Sequence, residues 1–322
     1  MLTFARWLAA AAALAAAAAA AQQYPGRPIR LVVPFPPGGN VDTFARVLAH
    51  QVGAQLGQQL VIDNRGGANG IVGVDIVAKA PPDGYTLLAT SFSFAVNPSI
   101  YKKLPFDVAK DFAPVTDYAL GLGYLLTVYP GLPAYSVKEL IALGKNRDNP
   151  LRYSSAGIGN GTHLAAELFA LKAGIQMLHI PYKGGGPAMT AALSGEVQVT
   201  FPAVAVGAPH VKSGKIRALG FTGSARVASL PDVPTIAEAG LAGFQFDSGW
   251  HALLAPAGTP DKVVARLYAE VRKALEVPRV RETFVAGGYE PRGDAPAVFR
   301  QRLASDIRLY AEVVRAAKIE PQ

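Results

Sequence analysis

Residues 29–52, IRLVVPFPPGGNVDTFARVLAHQV, place an apolar strand (Ile29 to Val33), a Pro/Gly-rich loop and an amphipathic helix in immediate succession. The helix carries Phe44, Ala45, Leu48 and Val52 on one face, the spacing of a helix that packs on a sheet. Residues 151–171, LRYSSAGIGNGTHLAAELFAL, repeat that order with a loop of small residues. In both, a loop brings bare backbone to a helix start, where unpaired N–H groups and the positive dipole end favour an anion. Two such units in one chain predict two α/β domains, each carrying one jaw of a carboxylate clamp.

Working outward from the first unit, Leu60 to Asp63 reads as a strand and Asn64 to Gly73 as a Gly-rich turn. A helix, Val74 to Ala80, and a strand, Tyr85 to Thr90, follow, the strand ending at Ser91 and Ser93. This alternation predicts right-handed βαβ units on a largely parallel sheet, with ligands at the carboxyl ends of the strands. After the connection Asn97 to Pro114, the apolar stretch Val115 to Tyr129 is broken by Gly121 and Gly123, as expected where a strand crosses between domains. The alternation then restarts. Helices are expected at Ser136 to Lys145, opened by a Ser136/Glu139 capping box, at Thr162 to Ala173 and at Gly186 to Leu193. Strands are expected at Leu151 to Ser154, Met177 to Pro181, Val197 to Phe201 and Ile216 to Thr222. A short helix after Pro234 precedes a return crossing, Phe244 to Leu254, and helices at 260–275, 278–286 and 296–317 close the chain against the first domain.

The expected architecture is an α/β two-domain, hinge-closing binding protein. Each domain is a mainly parallel sheet flanked by helices, and two hinge crossings join them. The expected division is a leader at 1–21, a first domain of 22–121 plus 251–322, and a second of 122–250. The length of 322 residues suits two cores, since single cores stop growing at roughly 250 to 300 residues. Arg6, the Ala/Leu run from Trp7 to about Ala20 and the small residues Ala19 to Ala21 read as a Sec signal peptide. The chain has no cysteine, which excludes disulfides, thiolate metal sites and a lipid-modified cysteine. Export without a lipid anchor points to the periplasm. The formal charge of +8 is scattered, with no basic run, so nucleic acid is not the expected partner.

The loops carry the candidate chemistry. Pro34, Pro36 and Pro37 stiffen the first, Gly38 and Gly39 open backbone to a ligand, and Asn40 is the expected N-cap. Asp42 complements the helix dipole and faces away from an anion. The second loop offers Ser155, Gly157, Asn160 and Thr162, more donors and glycines than a structural turn needs. Its glycines do not complete a dinucleotide fingerprint, because Thr162 replaces the third and no acid follows about 20 residues on. His163 reads either as a ligand donor or as a side chain packing on the loop. In a third loop, Tyr182-Lys183-Gly184-Gly185-Gly186, Lys183 is either a cleft cation or a solvated one, and Tyr182 either walls the cleft or fills core. An exported hydrolase is the competing class. No G-x-S-x-G elbow is present, and the five histidines show no H-E-x-x-H spacing, so neither catalysis nor a metal or other cofactor is expected.

Several segments carry a family resemblance: Tyr24 to Arg46, Asn64 to Ala68, Pro82 to Leu88, Asn97-Pro98, Pro181 to Gly184, Arg217 to Leu219, Leu230 to Thr235 and Ala255 to Pro260. The chain resembles the Bug-type, TctC-like extracytoplasmic receptors of tripartite tricarboxylate transporters. The resemblance implies a two-domain periplasmic binding protein, type II-like, that holds a small carboxylate and delivers it to the transporter's membrane subunits; a monomer is expected. A receptor that signals to a sensor kinase is the alternative. By position the resemblance implicates Phe35, Gly38, Gly39 and Asn40 on one side, and Ser155, Gly157, Asn160, Thr162 and His163 on the other, with Tyr182 to Gly184 nearby. Gln198 and Pro202 stand where the family often has an acid able to pair with a ligand ammonium. The expected ligand is therefore a carboxylate with an uncharged or aromatic body, helped by Phe35, Phe92, Phe94 and Trp250, rather than an amino acid.

Overall fold

A computed structural model describes residues 24–316. The expected leader, residues 1–21, lies outside them. The chain opens with β1 (Ile29–Val33), α1 (Asn40–Leu56), β2 (Leu60–Asn64), α2 (Ile71–Ala78), β3 (Thr86–Ser91), α3 (Ser93–Ile100) and β4 (Phe112–Gly121). A second unit follows: β5 (Leu125–Val128), α4 (Val137–Gly144), β6 (Leu151–Ser155), α5 (Gly161–Ala173), β7 (Met177–Pro181), α6 (Gly185–Ser194), β8 (Val199–Thr200), α7 (Val204–Lys212) and β9 (Arg217–Phe221). The chain returns through β10 (Gly249–Pro256) and ends with α8 (Asp261–Glu276), α9 (Pro278–Ala286), β11 (Tyr289–Pro291) and α10 (Pro296–Ala316). Among the described residues no helix is long and apolar enough to cross a membrane.

The sheets run β11-β4-β10-β3-β1-β2 and β7-β6-β8-β5-β9. Both are mixed rather than mainly parallel. β1 is parallel to β2 and β3, whereas β10 is antiparallel to β3 and β4. Likewise β6 is parallel to β7 and β8, whereas β5 is antiparallel to β8 and β9. The reason lies in the crossings. β5 and β10 each enter their sheet from the side facing the other unit, where the βα strands finish, so they run against those strands. The two crossings touch, because Gly121 pairs with Gly249. A side chain on Gly121 would stand 1.8 Å from Ser248 Oγ, and Gly249 has a φ of +68°, so the hinge needs both glycines.

The apolar stripe of α1 is buried: Phe44, Leu48 and Val52 pack with Leu267 and Val271 of α8 and Phe284 of α9. The closing helices thus dock on the first sheet, and α10 covers its other face with Phe299 and Leu303 beside Phe94 and Trp250. Tyr153, Phe169, Phe201 and Phe244 centre the second core. Local differences from the sequence reading have physical causes. The segment after Pro234 makes turns, not a helix, although Thr235 and Glu238 cap each other reciprocally. α3 and α7 occupy stretches with no helical periodicity, and each holds an internal proline, Pro98 or Pro209. Ser136 caps α4 through the Glu139 N–H, while the Glu139 carboxylate accepts from Tyr135 N–H rather than from Ser136.

Candidate functional site

Between the two sheets lies a cavity of about 60 Å³. That is several times the roughly 10–15 Å³ that a single water needs. Its wall comes from the starts of α1 (Gly39, Asn40, Val41), α3 (Ser91, Phe92), α5 (Asn160, Thr162), α6 (Gly185) and α7 (Ala203). Each helix follows a strand whose carboxyl end faces the interdomain space, which is why their starts converge. Only α5 has a side-chain cap, Asn160 Oδ1 accepting from Thr162 N–H; α1, α3, α6 and α7 have none. Helix starts without caps present N–H groups and positive partial charge to whatever fills the space. Among the described residues no Asp, Glu, Lys or Arg lines the cavity. Attraction for an anion there comes from dipoles, not from a formal cation.

The first unit adds polar groups from far along the chain. Asn40 Nδ2 donates to the Tyr289 hydroxyl and lies 3.2 Å from His251 Nε2, and the hydroxyl lies 3.3 Å from the same nitrogen. Burial pushes His251 down to about 3 and Tyr289 up to about 12, so both are neutral at ordinary pH. Among the described residues, Asn40 Oδ1 and His251 Nδ1 are buried without a partner. Asp42 points elsewhere. Burial alone would raise its carboxyl, but hydrogen bonds from Arg46, Asn64 and the Gly38 N–H hold it below the usual range.

On the second unit, Ser155 and Thr162 reach the cavity, and the Thr162 hydroxyl accepts from Ala156 N–H at 2.8 Å. His163 stays behind them, buried, with Nδ1 accepting from Gly159 N–H at 3.1 Å.

The structure brings Phe35, Gly39, Asn40, Ser91, Ser155, Asn160 and Thr162 together around this cavity. Gly157, Tyr182 and Lys183 line a second, outer cavity of about 180 Å³ that shares Phe35 and Ala156 with the first. Gly38, Ser93, His163 and Gly184 line neither: Ser93 is bonded to Ser91, and Gly184 lies against Pro36. Of the four aromatic residues expected to help, Phe35 and Phe92 face the inner cavity, whereas Phe94 packs edge-to-face on Phe112 in the core and Trp250 donates to Asp306. Pro202 lines the cavity; Gln198 does not, and its side chain accepts from Arg152 N–H. Ser248, His251 and Tyr289 were not anticipated. A single histidine inside the apolar run Trp250 to Pro256 was the available signal.

The chain matches the family model described as tripartite tricarboxylate transporter family receptor over residues 44–312. Protein BugT of Bordetella pertussis is 40% identical over 294 residues, 91% of this chain and 90% of its own. An R. palustris protein solved with adipate superposes with a TM-score of 0.89 at 34% identity, covering 93% of this chain and 100% of that one. MatC from Rhodopseudomonas palustris, solved with bound malate, gives 0.83 at 32% identity, with 90% and 100% covered. This chain belongs to the tripartite tricarboxylate transporter receptor family, TctC.

Proposed function

We propose that the chain is a periplasmic receptor, exported by its leader, that closes on a small carboxylate with an uncharged body and delivers it as a monomer to the membrane subunits of a tripartite tricarboxylate transporter. It has no catalytic role in this reading. The moving bodies are 22–121 with 251–322, and 122–250, flexing at Gly121 and Gly249. One observation carries the reading: helix starts from both units, all but one uncapped, converge on a cavity with no charged side chain. The adipate and malate found in two relatives support a carboxylate. The absence of an acid from the lining disfavours a ligand ammonium, which would be desolvated without a counter-charge. Calorimetric titration with mono- and dicarboxylates, aspartate and glutamate is the test. Tight binding of a simple carboxylate without turnover is expected. Tight aspartate or glutamate binding with none for simple carboxylates, or chemical turnover, overturns the reading.

A further inference from the structure

His179 lies on β7 and lines neither cavity, yet its Nε2 is 2.5 Å from the Ser155 hydroxyl, which faces the inner one. Ser155 Oγ also lies 3.2 Å from the Gly157 N–H, from which it accepts, and 3.2 Å from the Gly157 carbonyl, to which it can donate. A serine hydroxyl has one hydrogen to give. Donated to His179, that hydrogen leaves only lone pairs toward the cavity, and these repel a carboxylate. When the imidazole instead carries its proton on Nε2, His179 donates to Ser155, and the serine hydrogen can turn from the Gly157 carbonyl to the ligand.

The surroundings hold the ring in place for this. His179 stacks on His163 at 4.1 Å and on Tyr153 at 4.8 Å between ring centres, with all three rings within about 12° of parallel. His163 is fixed in turn: its Nδ1 takes the Gly159 N–H, which leaves its proton on Nε2, 3.9 Å from the Glu167 carboxylate. The Tyr153 hydroxyl donates to the same carboxylate. Burial holds both imidazoles below the usual histidine range, so His179 is neutral and offers a single N–H.

We propose that His179 is a positioning residue that makes the Ser155 hydroxyl a hydrogen-bond donor to the bound carboxylate. The inference rests on the receptor reading. Its test is a double-mutant cycle by calorimetry on the mature protein, using a carboxylate that the unaltered protein binds. Ser155→Ala and His179→Phe are each expected to weaken binding about tenfold or more, the effect of one hydrogen bond to a charged group. Their combination should be no worse than Ser155→Ala alone. His179→Gln, whose amide N–H takes the place of Nε2–H, should stay within about threefold of the unaltered protein. Additive losses, or Gln as damaging as Phe, overturn the proposal. A second measurement does not depend on variants folding: the nitrogen resonances of His179 in the liganded protein should report the Nε2–H tautomer, and the Nδ1–H tautomer overturns it. If no carboxylate binds the unaltered protein, the receptor reading falls, and this inference with it.

Discussion

The two jaws are built differently although their sequences read alike. The second jaw is local: Asn160 caps α5, Thr162 returns to Ala156, and His163 returns to Gly159, all within a few residues. The first jaw adds distant support to a few local bonds, such as Thr43 Oγ1 donating to the Gly39 carbonyl. Its α1 start has no side-chain cap, Asp42 turns back to Gly38, Arg46 and Asn64, and Asn40 is held by Tyr289 and His251 from the other end of the chain. A self-contained loop keeps its shape when its domain moves. A loop finished by distant strands keeps its shape only while β10 and β11 stay docked, so the first jaw depends on the packing of the chain's later strands and the second does not.

The strongest way to break this contrast is at the point where the jaws meet. A carbon added to Gly184, before α6, would lie 2.7 Å from Pro36 Cδ, and the residue sits at a φ of +127°. Pro36 is ring-locked and cannot yield as a flexible side chain does. Gly184→Val is expected to hold the jaws apart and to weaken ligand binding about 100-fold or more, about 2.8 kcal/mol at 1.4 kcal/mol per tenfold. Small-angle scattering should lose its ligand-dependent compaction. Unchanged affinity would show that the jaws do not close through this contact.

Acid separates the jaws less sharply. Burial lowers His163 and His251 to about 3 and His179 to about 4 in the folded chain, against an ordinary value of 6.5. A depressed histidine means that the unfolded chain binds more protons between the two values. Stability is therefore full above about pH 6.5 and falls as pH drops toward 3 to 4. One unit below the ordinary value, the buried His163 and His251 should each lose about 1.4 kcal/mol. The melting temperature should fall steadily from pH 7 to pH 5. Replacing His251 with Gln should remove part of that slope from the first jaw, and replacing His163 part from the second. A slope indifferent to both replacements would place the acid sensitivity elsewhere.

The same asymmetry governs what could be read from the sequence. The two strand-loop-helix units, the crossing at Gly121 and the closing helices were legible because periodicity, glycines and prolines act over short range. The mixed sheets were not, since strand direction depends on which side a crossing strand enters. α3 and α7 were hidden because their residues are buried nearly all round or interrupted by Gly207, Pro98 and Pro209, which erases the 3.6-residue pattern. At the site, Asn160 and Thr162 were visible through their local chemistry. Tyr289 and His251 were not, because only the register of β10 and β11 on β4 brings them to Asn40.

The asparagines themselves give the finest comparison. Asn40→Ala removes the donor to Tyr289 and His251 deep in the first jaw and leaves buried polar groups without it. It should cost about 1–3 kcal/mol of stability and weaken binding by a similar factor, because those groups face the cavity. Asn160→Ala removes a cavity-lining side chain whose Oδ1 accepts from the Thr162 N–H and hydroxyl, and it releases that N–H to the ligand. Its stability cost should be about 1 kcal/mol. Its binding cost should be smaller than that of Asn40→Ala, because an N–H released from its cap is one more donor for an anion. Denaturant melts and calorimetry on the pair decide this. If Asn160→Ala weakens binding more than Asn40→Ala, the second jaw depends on its cap to keep its shape, and its self-contained character is lost.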